Sequence, residues 1–263
     1  MKRGLLAVAV LAGVCMARAG SAAPAPGGWY VAADLGATLR QDGPTWAADR
    51  ELGGLPAEPR FHTKPDFGGF VRAGYSISPH VRVEGEFGWR TNRMLSIVDQ
   101  YQFGRPPGSI VAVCGAAPVA ATGCAAPAGG LDAFTAMGNV YLDLWPRRRF
   151  HPFVGVGAGV ARVHLQTDGR LFGTTGPLSP PGTITIDDTD ARLAYQALGG
   201  LAMRIDDHLS ADLTYRFLAS FSHRWNTTTT GDIQLGPIKG KYANHALALG
   251  LRYTFRPQPS LTR

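Results

Sequence analysis

A chain in which apolar side chains recur at every second position, run after run, builds strands with one greasy face and cannot build the 3.6-residue stripe of a helix. From Trp29 to Arg40, Trp29, Val31, Ala33, Leu35, Ala37 and Leu39 fall on one face, and Tyr30, Ala32, Asp34, Gly36, Thr38 and Arg40 on the other. The pattern returns near the end, where His245, Leu247, Leu249, Leu251, Tyr253 and Phe255 alternate with Asn244, Ala246, Ala248, Gly250, Arg252 and Thr254. Six further runs lie between, over roughly Phe67 to Ile77, Val81 to Arg90, Ala133 to Leu144, Pro152 to Leu165, Ala191 to Ile205 and Leu209 to Leu218. Each is about 10 to 15 residues, and a tilted strand needs about 9 to 11 to cross an outer membrane. Eight is an even number, as closure of an antiparallel barrel requires. The expected fold is all-β: an eight-stranded antiparallel up-and-down transmembrane β-barrel. With 34 glycines and 19 prolines in 263 residues, and only 17% charged, a coiled coil or helix bundle is excluded on composition.

A soluble lipocalin-like barrel also has eight antiparallel strands, so the faces must decide. The polar face is rich in glycine and carries Asp34, Arg72, Glu84, Glu86, Asp212, Arg216 and Arg252. Small residues beside opposite charges suit a narrow, filled lumen in which those seven pair with one another, because unpaired charges there are costly to bury. The apolar face carries Trp29, Tyr75, Trp89, Tyr195 and Tyr215, which suit an aromatic girdle at the membrane interfaces. Three connections are short (Ser78 to His80, Trp145 to His151, Asp206 to His208) and four are long (about Gln41 to Asp66, Thr91 to Asp132, Gln166 to Asp190, Ala219 to Tyr242). Short turns at one rim and long loops at the other place the turns in the periplasm and four long loops outside.

The first residues read as an address. Met1-Lys2-Arg3, an uncharged apolar run from Gly4 to Met16, and a small-residue stretch to Ala23 form a secretory signal peptide over residues 1–22, with cleavage between 19 and 22. Residues 23–263 are then a single barrel domain, with 256–263 a short periplasmic tail. Removing Lys2, Arg3 and Arg18 lowers the net charge from +7 to +4, which weakens any case for nucleic acid. Two cysteines remain, Cys114 and Cys124, and in an oxidising compartment an even pair so close in sequence most simply closes one loop as a disulfide. Metal binding is the alternative, but no His, Asp or Glu lies between them. The uncharged stretch from Pro106 to Leu131 is broken by Pro118 and Pro127 and reads as an apolar surface loop rather than a transmembrane helix.

Several pieces carry a family resemblance: Arg72-Ala73-Gly74-Tyr75, Val81-Arg82-Val83-Glu84-Gly85-Glu86-Phe87-Gly88, Met137-Gly138-Asn139-Val140-Tyr141-Leu142-Asp143, His151-Pro152-Phe153-Val154-Gly155-Val156-Gly157-Ala158-Gly159, Leu213-Thr214-Tyr215-Arg216-Phe217, and Gly250-Leu251-Arg252-Tyr253-Thr254-Phe255. In this order and spacing the chain resembles the outer-membrane β-barrel domain family, the small OmpA-like and opacity-type porins of Gram-negative bacteria. The resemblance implies a place in the cell outer membrane. It also implies that Gly250, Tyr253 and Phe255 form the assembly signal read by the barrel-insertion machinery. The chain departs from the pattern in Ala248, where a polar residue is common, and in running on past Phe255 to Arg263.

The expected role is a structural or surface-interaction component of the envelope, with a side-chain-filled lumen and little or no pore activity. A narrow channel for small solutes is the alternative. A lipid A-modifying enzyme is a third reading, resting on His208-Leu209-Ser210 with Asp206 and Asp212 nearby. The sequence points to no cofactor and no catalytic or metal-ligating set. Expected partners are outer-membrane lipids and lipopolysaccharide, the assembly machinery, and an extracellular ligand held by the long loops, the chain itself being a monomer. Arg147-Arg148-Arg149 is placed to meet anionic headgroups.

Overall fold

The computed structural model describes residues 27–41, 45–48, 56–57, 59–99, 110–115, 127–173, 176–177, 182–230 and 236–256. The leader (1–22) and the tail beyond Arg256 lie outside these residues. Eight long strands dominate: β1 (Trp29–Arg40), β2 (Asp66–Ser76), β3 (Val81–Asp99), β4 (Ala128–Asp143), β5 (Phe150–Gly173), β6 (Thr183–Arg204), β7 (Leu209–Ser220) and β8 (Ala243–Thr254). Each pairs antiparallel with the next. The last also pairs with the first, from Tyr30↔Thr254 to Arg40↔Asn244. That final pairing leaves neither strand with an open edge, which is what makes an antiparallel sheet safe from association. No helix of the described residues is long and apolar enough to cross a membrane, which says nothing of a crossing by strands.

The strand count differs from the eight runs read in the sequence. The main sheet holds 12 strands, because Pro59–Thr63, Ile110–Cys114, Gly176–Pro177 and Thr228–Thr230 join the long ones beyond one rim. A second sheet of 4 short strands (Thr45–Ala48, Pro56–Ala57, His223–Trp225, Ile238–Gly240) sits at the same rim. Much of what reads as loop is therefore paired backbone.

Alternation within β5 explains the difference. Its even-numbered residues face outward and its odd-numbered residues inward from Phe150 to Arg170. Outward positions are apolar from Phe150 through Val154, Val156 and Ala158 to Val160; they then turn polar at Arg162, His164, Gln166 and Asp168. Inward positions do the opposite: Gly155, Gly157 and Gly159 give way to buried Ala161, Val163 and Leu165. At about 3.4 Å per residue and a tilt near 45°, the apolar outward stretch spans about 24 Å, close to the apolar band of an outer-membrane barrel. Val156 is 67% exposed and Leu35 76%, values that water does not favour over so large a belt and hydrocarbon does. Neighbouring strands switch at matching heights: Trp89 to Thr91 on β3, Phe134 to Asp132 on β4 and, across Ala191, Leu193 to Thr189 on β6, linked by Trp89↔Phe134, Phe134↔Arg162 and Ala191↔Arg162.

Above the switch β3 to β6 continue as a wall whose inner face is apolar. That face packs Leu131, Val163, Leu165, Ile184 and Ile186 against Phe61, Trp225, Ile238 and Tyr242, a water-excluding core on top of the barrel. Val113 and Cys114 belong to this buried region. The expectation of an apolar surface loop over Pro106 to Leu131 is corrected for the described part of that stretch: Val113, Cys114 and Leu131 point inward because the outer face at that height meets water, while residues 106–109 and 116–126 lie outside the described residues.

Candidate functional site

The lumen is the chemically richest part of the molecule. Among the described residues seven arginines and five carboxylates are buried, so the acids alone cannot neutralise the cations. Arg72 is the hub. Its guanidinium reaches Asp34 (2.7 Å) on β1, Glu84 (3.1 Å) on β3 and Asp212 (3.2 Å) on β7. Arg216 on the same β7 pairs with Asp34 and with Glu86 (3.0 Å), and Arg252 on β8 lies 3.4 Å from Asp212. Strands β1, β2, β3, β7 and β8 thus meet through the seven charges singled out in the sequence.

Sequence reading missed the other members. Arg82 holds Asp143 through two bonds, Nε to Oδ2 at 2.6 Å and Nη2 to Oδ1 at 2.9 Å. The hydroxyls of Tyr30 and Tyr141 donate to Glu84 at 3.0 Å each. Gln196 donates to Glu86 (3.2 Å) and Asn139 (2.7 Å). All share the inward parity of Glu84 or its partners, and that was the available signal. Arg90, which forms none of these ion pairs, rests on an aromatic face 4.7 Å from the Phe70 ring centroid, and the acid-paired Arg216 approaches the same ring at 4.2 Å. Arg90 otherwise donates to Thr135 at 2.8 Å.

Gly250 shows how closely this layer is packed. It pairs with Asp34 on β1 and Asp212 on β7, and a Cβ there would collide with the Asp34 carboxylate. The other two residues of the expected assembly signal, Tyr253 and Phe255, are exposed and meet edge to face at 5.5 Å. The five girdle residues all face outward: Trp29 and Tyr75 meet at 5.2 Å at the short-turn rim, with Trp89, Tyr195 and Tyr215 toward the other. Tyr215 Oη lies 2.7 Å from His245 Nδ1.

At the far rim Ser220 Oγ lies 2.8 Å from His223 Nε2, and His223 stacks on Trp225 at 5.3 Å. Asp190 stands 3.8 Å from the other ring nitrogen. Burial holds the His223 imidazole below its ordinary value, and burial pushes the Tyr242 phenol up to about 12. Ser220 also binds the backbone of Tyr242, so this group ties the cap to β7 and is closed to a substrate.

The structure does not assemble His208 and Ser210. The imidazole Nδ1 donates to the Thr254 carbonyl at 2.8 Å, while Ser210 is buried toward the lumen. Asp206 is committed to the turn, its carboxyl held below the usual range by the His208 and Leu209 N–H groups at 2.7 and 2.8 Å. Cys114 is buried, and Cys124 lies outside the described residues. Among the described residues no three His, Cys, Asp or Glu side chains converge on a point that could hold a metal ion.

Outward greasy strands, a closed ring of antiparallel pairings and a charged interior point to one class of protein. The sequence profile of the outer membrane protein beta-barrel domain matches residues 6–255. The chain belongs to this family. As an outer-membrane β-barrel protein, it takes the Gram-negative outer membrane as its implied location. Solved barrels similar to it include Neisserial surface protein A, at 14% identity over 86% of this chain and 97% of that one, with a TM-score of 0.42. OprG from Pseudomonas aeruginosa is 11% identical over 87% and 96%, with a TM-score of 0.49. Ail of Yersinia pestis is 10% identical over 87% and 99%, with a TM-score of 0.36. No curated protein matches the sequence significantly.

Proposed function

We propose that the chain is an eight-stranded transmembrane barrel serving as a sealed structural and surface-interaction component of the cell envelope. In this reading the short turns lie in the periplasm and the long connections outside, and residues 1–22 are the removed leader. Cys114 and Cys124 form a disulfide that restrains the second long connection. Gly250, Tyr253 and Phe255 guide insertion by the assembly machinery, and the monomer offers its outer end to an extracellular ligand.

The observation that carries the sealed reading is the bridging of Arg72 to Asp34, Glu84 and Asp212 across the lumen, beneath a second, apolar closure built around Trp225, Leu165 and Ile186. An ion would have to displace a three-acid hub and then cross a packed core dominated by Leu131, Val163, Leu165, Ile184 and Ile186, each step costing several kcal/mol. Planar-bilayer recording of the refolded protein tests this. Rare, small events are expected, and large stable channels would overturn the proposal.

A further inference from the structure

The lipid-facing surface carries a furrow that the lumen does not explain. It has a volume of about 640 Å³ and an almost wholly apolar lining. Its course is set by the strand register. One outward row runs Leu35↔Gly69↔Trp89↔Phe134↔Arg162 across β1 to β5. The row beside it carries Ala33, Val71, Phe87, Ala136 and Val160. Glycine and alanine next to large aromatic side chains leave the depression.

Four strand spacings of about 4.8 Å make it about 19 Å long. Because strands tilt by about 35–45°, the row climbs as it crosses them, from Leu35 in the middle of the apolar band to Arg162 just above it. Arg162 is exposed, and none of the described residues forms an ion pair or hydrogen bond with it. The outward acid on the neighbouring strand, Asp132 of β4, stands opposite His164 in the register, and Asp66 on β2 is taken by Arg93 at 3.0 Å.

We propose that this furrow binds one outer-leaflet lipid A, with a saturated acyl chain along the Leu35–Phe134 row and a phosphate on Arg162. The observation behind it is a tail-shaped apolar track ending at an unpaired guanidinium at headgroup height, the fork geometry that suits phosphate. The inference rests on the reading that the long connections face outward, which puts Arg162 in the lipopolysaccharide leaflet. With the opposite orientation the same groove would meet phospholipid.

The experiment is native mass spectrometry of the full mature chain, refolded in detergent and offered lipid A, dephosphorylated lipid A or phosphatidylglycerol. The wild type is expected to retain one lipid A, and Arg162→Ala and Gly69→Leu to retain it at least tenfold less. Leucine at 69 has room, since a Cβ there meets only Leu35 Cδ2 at 3.4 Å and Asp34 O at 4.0 Å. Removing the phosphates is expected to match the Arg162→Ala loss in the wild type and to add nothing in that variant. Equal retention by folded Arg162→Ala, or a preference for phosphatidylglycerol over lipid A, overturns the site. Heat-modifiable migration is scored first: a wild type that lacks it defeats the barrel reading itself, whereas a folded wild type without lipid preference defeats the furrow alone.

Discussion

Two buried arginines in the same lumen have different surroundings, and the difference is measurable. Arg72 satisfies three carboxylates, so Arg72→Met leaves Asp34, Glu84 and Asp212 crowded without their common cation. A loss on the order of 3–5 kcal/mol is expected, read as a lowered urea midpoint for the barrel in vesicles. Among the described residues Arg90 has one hydroxyl and the face of Phe70 but no ion-paired acid. Arg90→Met should stay within about 1 kcal/mol of wild type, since replacing a desolvated ion by a packed apolar chain is neutral or better. Equal losses would mean that burial alone, not pairing, governs these sites. Both positions were legible as lumen-facing from parity. Their inequality was not, because which acids lie across the lumen depends on barrel closure.

Within one strand, the polarity inversion makes a sharper test than any average over the barrel. On β5, Val156 faces outward in the apolar band, His164 faces outward above it, and Leu165 points into the cap. Val156→Lys should cost about 2–4 kcal/mol, as a lysine does near the bilayer midplane. His164→Lys, on the same face eight positions on, should be nearly silent, while Leu165→Lys should be at least as harmful as Val156→Lys because it buries an unpaired ammonium. The measurement is again the urea midpoint, with folding checked by cold electrophoresis. A reader of the sequence sees the alternation from Pro152 to Leu165 but follows the greasy face. Past Val160 that face is no longer greasy, and the run legible in the sequence stops at Leu165 although the strand continues to Gly173.

For the whole molecule, the cap couples to pH through His223, which burial keeps neutral. Its folded value is lowered, so the contribution to stability is full above the unfolded imidazole value of about 6.5 and is lost as pH falls below it, where the unfolded chain takes up the proton first. Between pH 7.5 and 5 the wild type should lose more stability than His223→Gln, read by unfolding midpoints at each pH. Parallel slopes in the two proteins would remove His223 from the account.

The sequence by itself determined the period of two, the places of the eight long strands and which parity carries charge, since side-chain alternation is a property of the extended backbone and needs no partner. Tertiary structure alone decided that Arg72 reaches across to β1, β3 and β7, that β3 to β6 run on into a capped extension, and that Gly69 and Arg162 share one row. Those facts come from strand register and closure, which set neighbours far apart in the chain side by side and which no local pattern encodes.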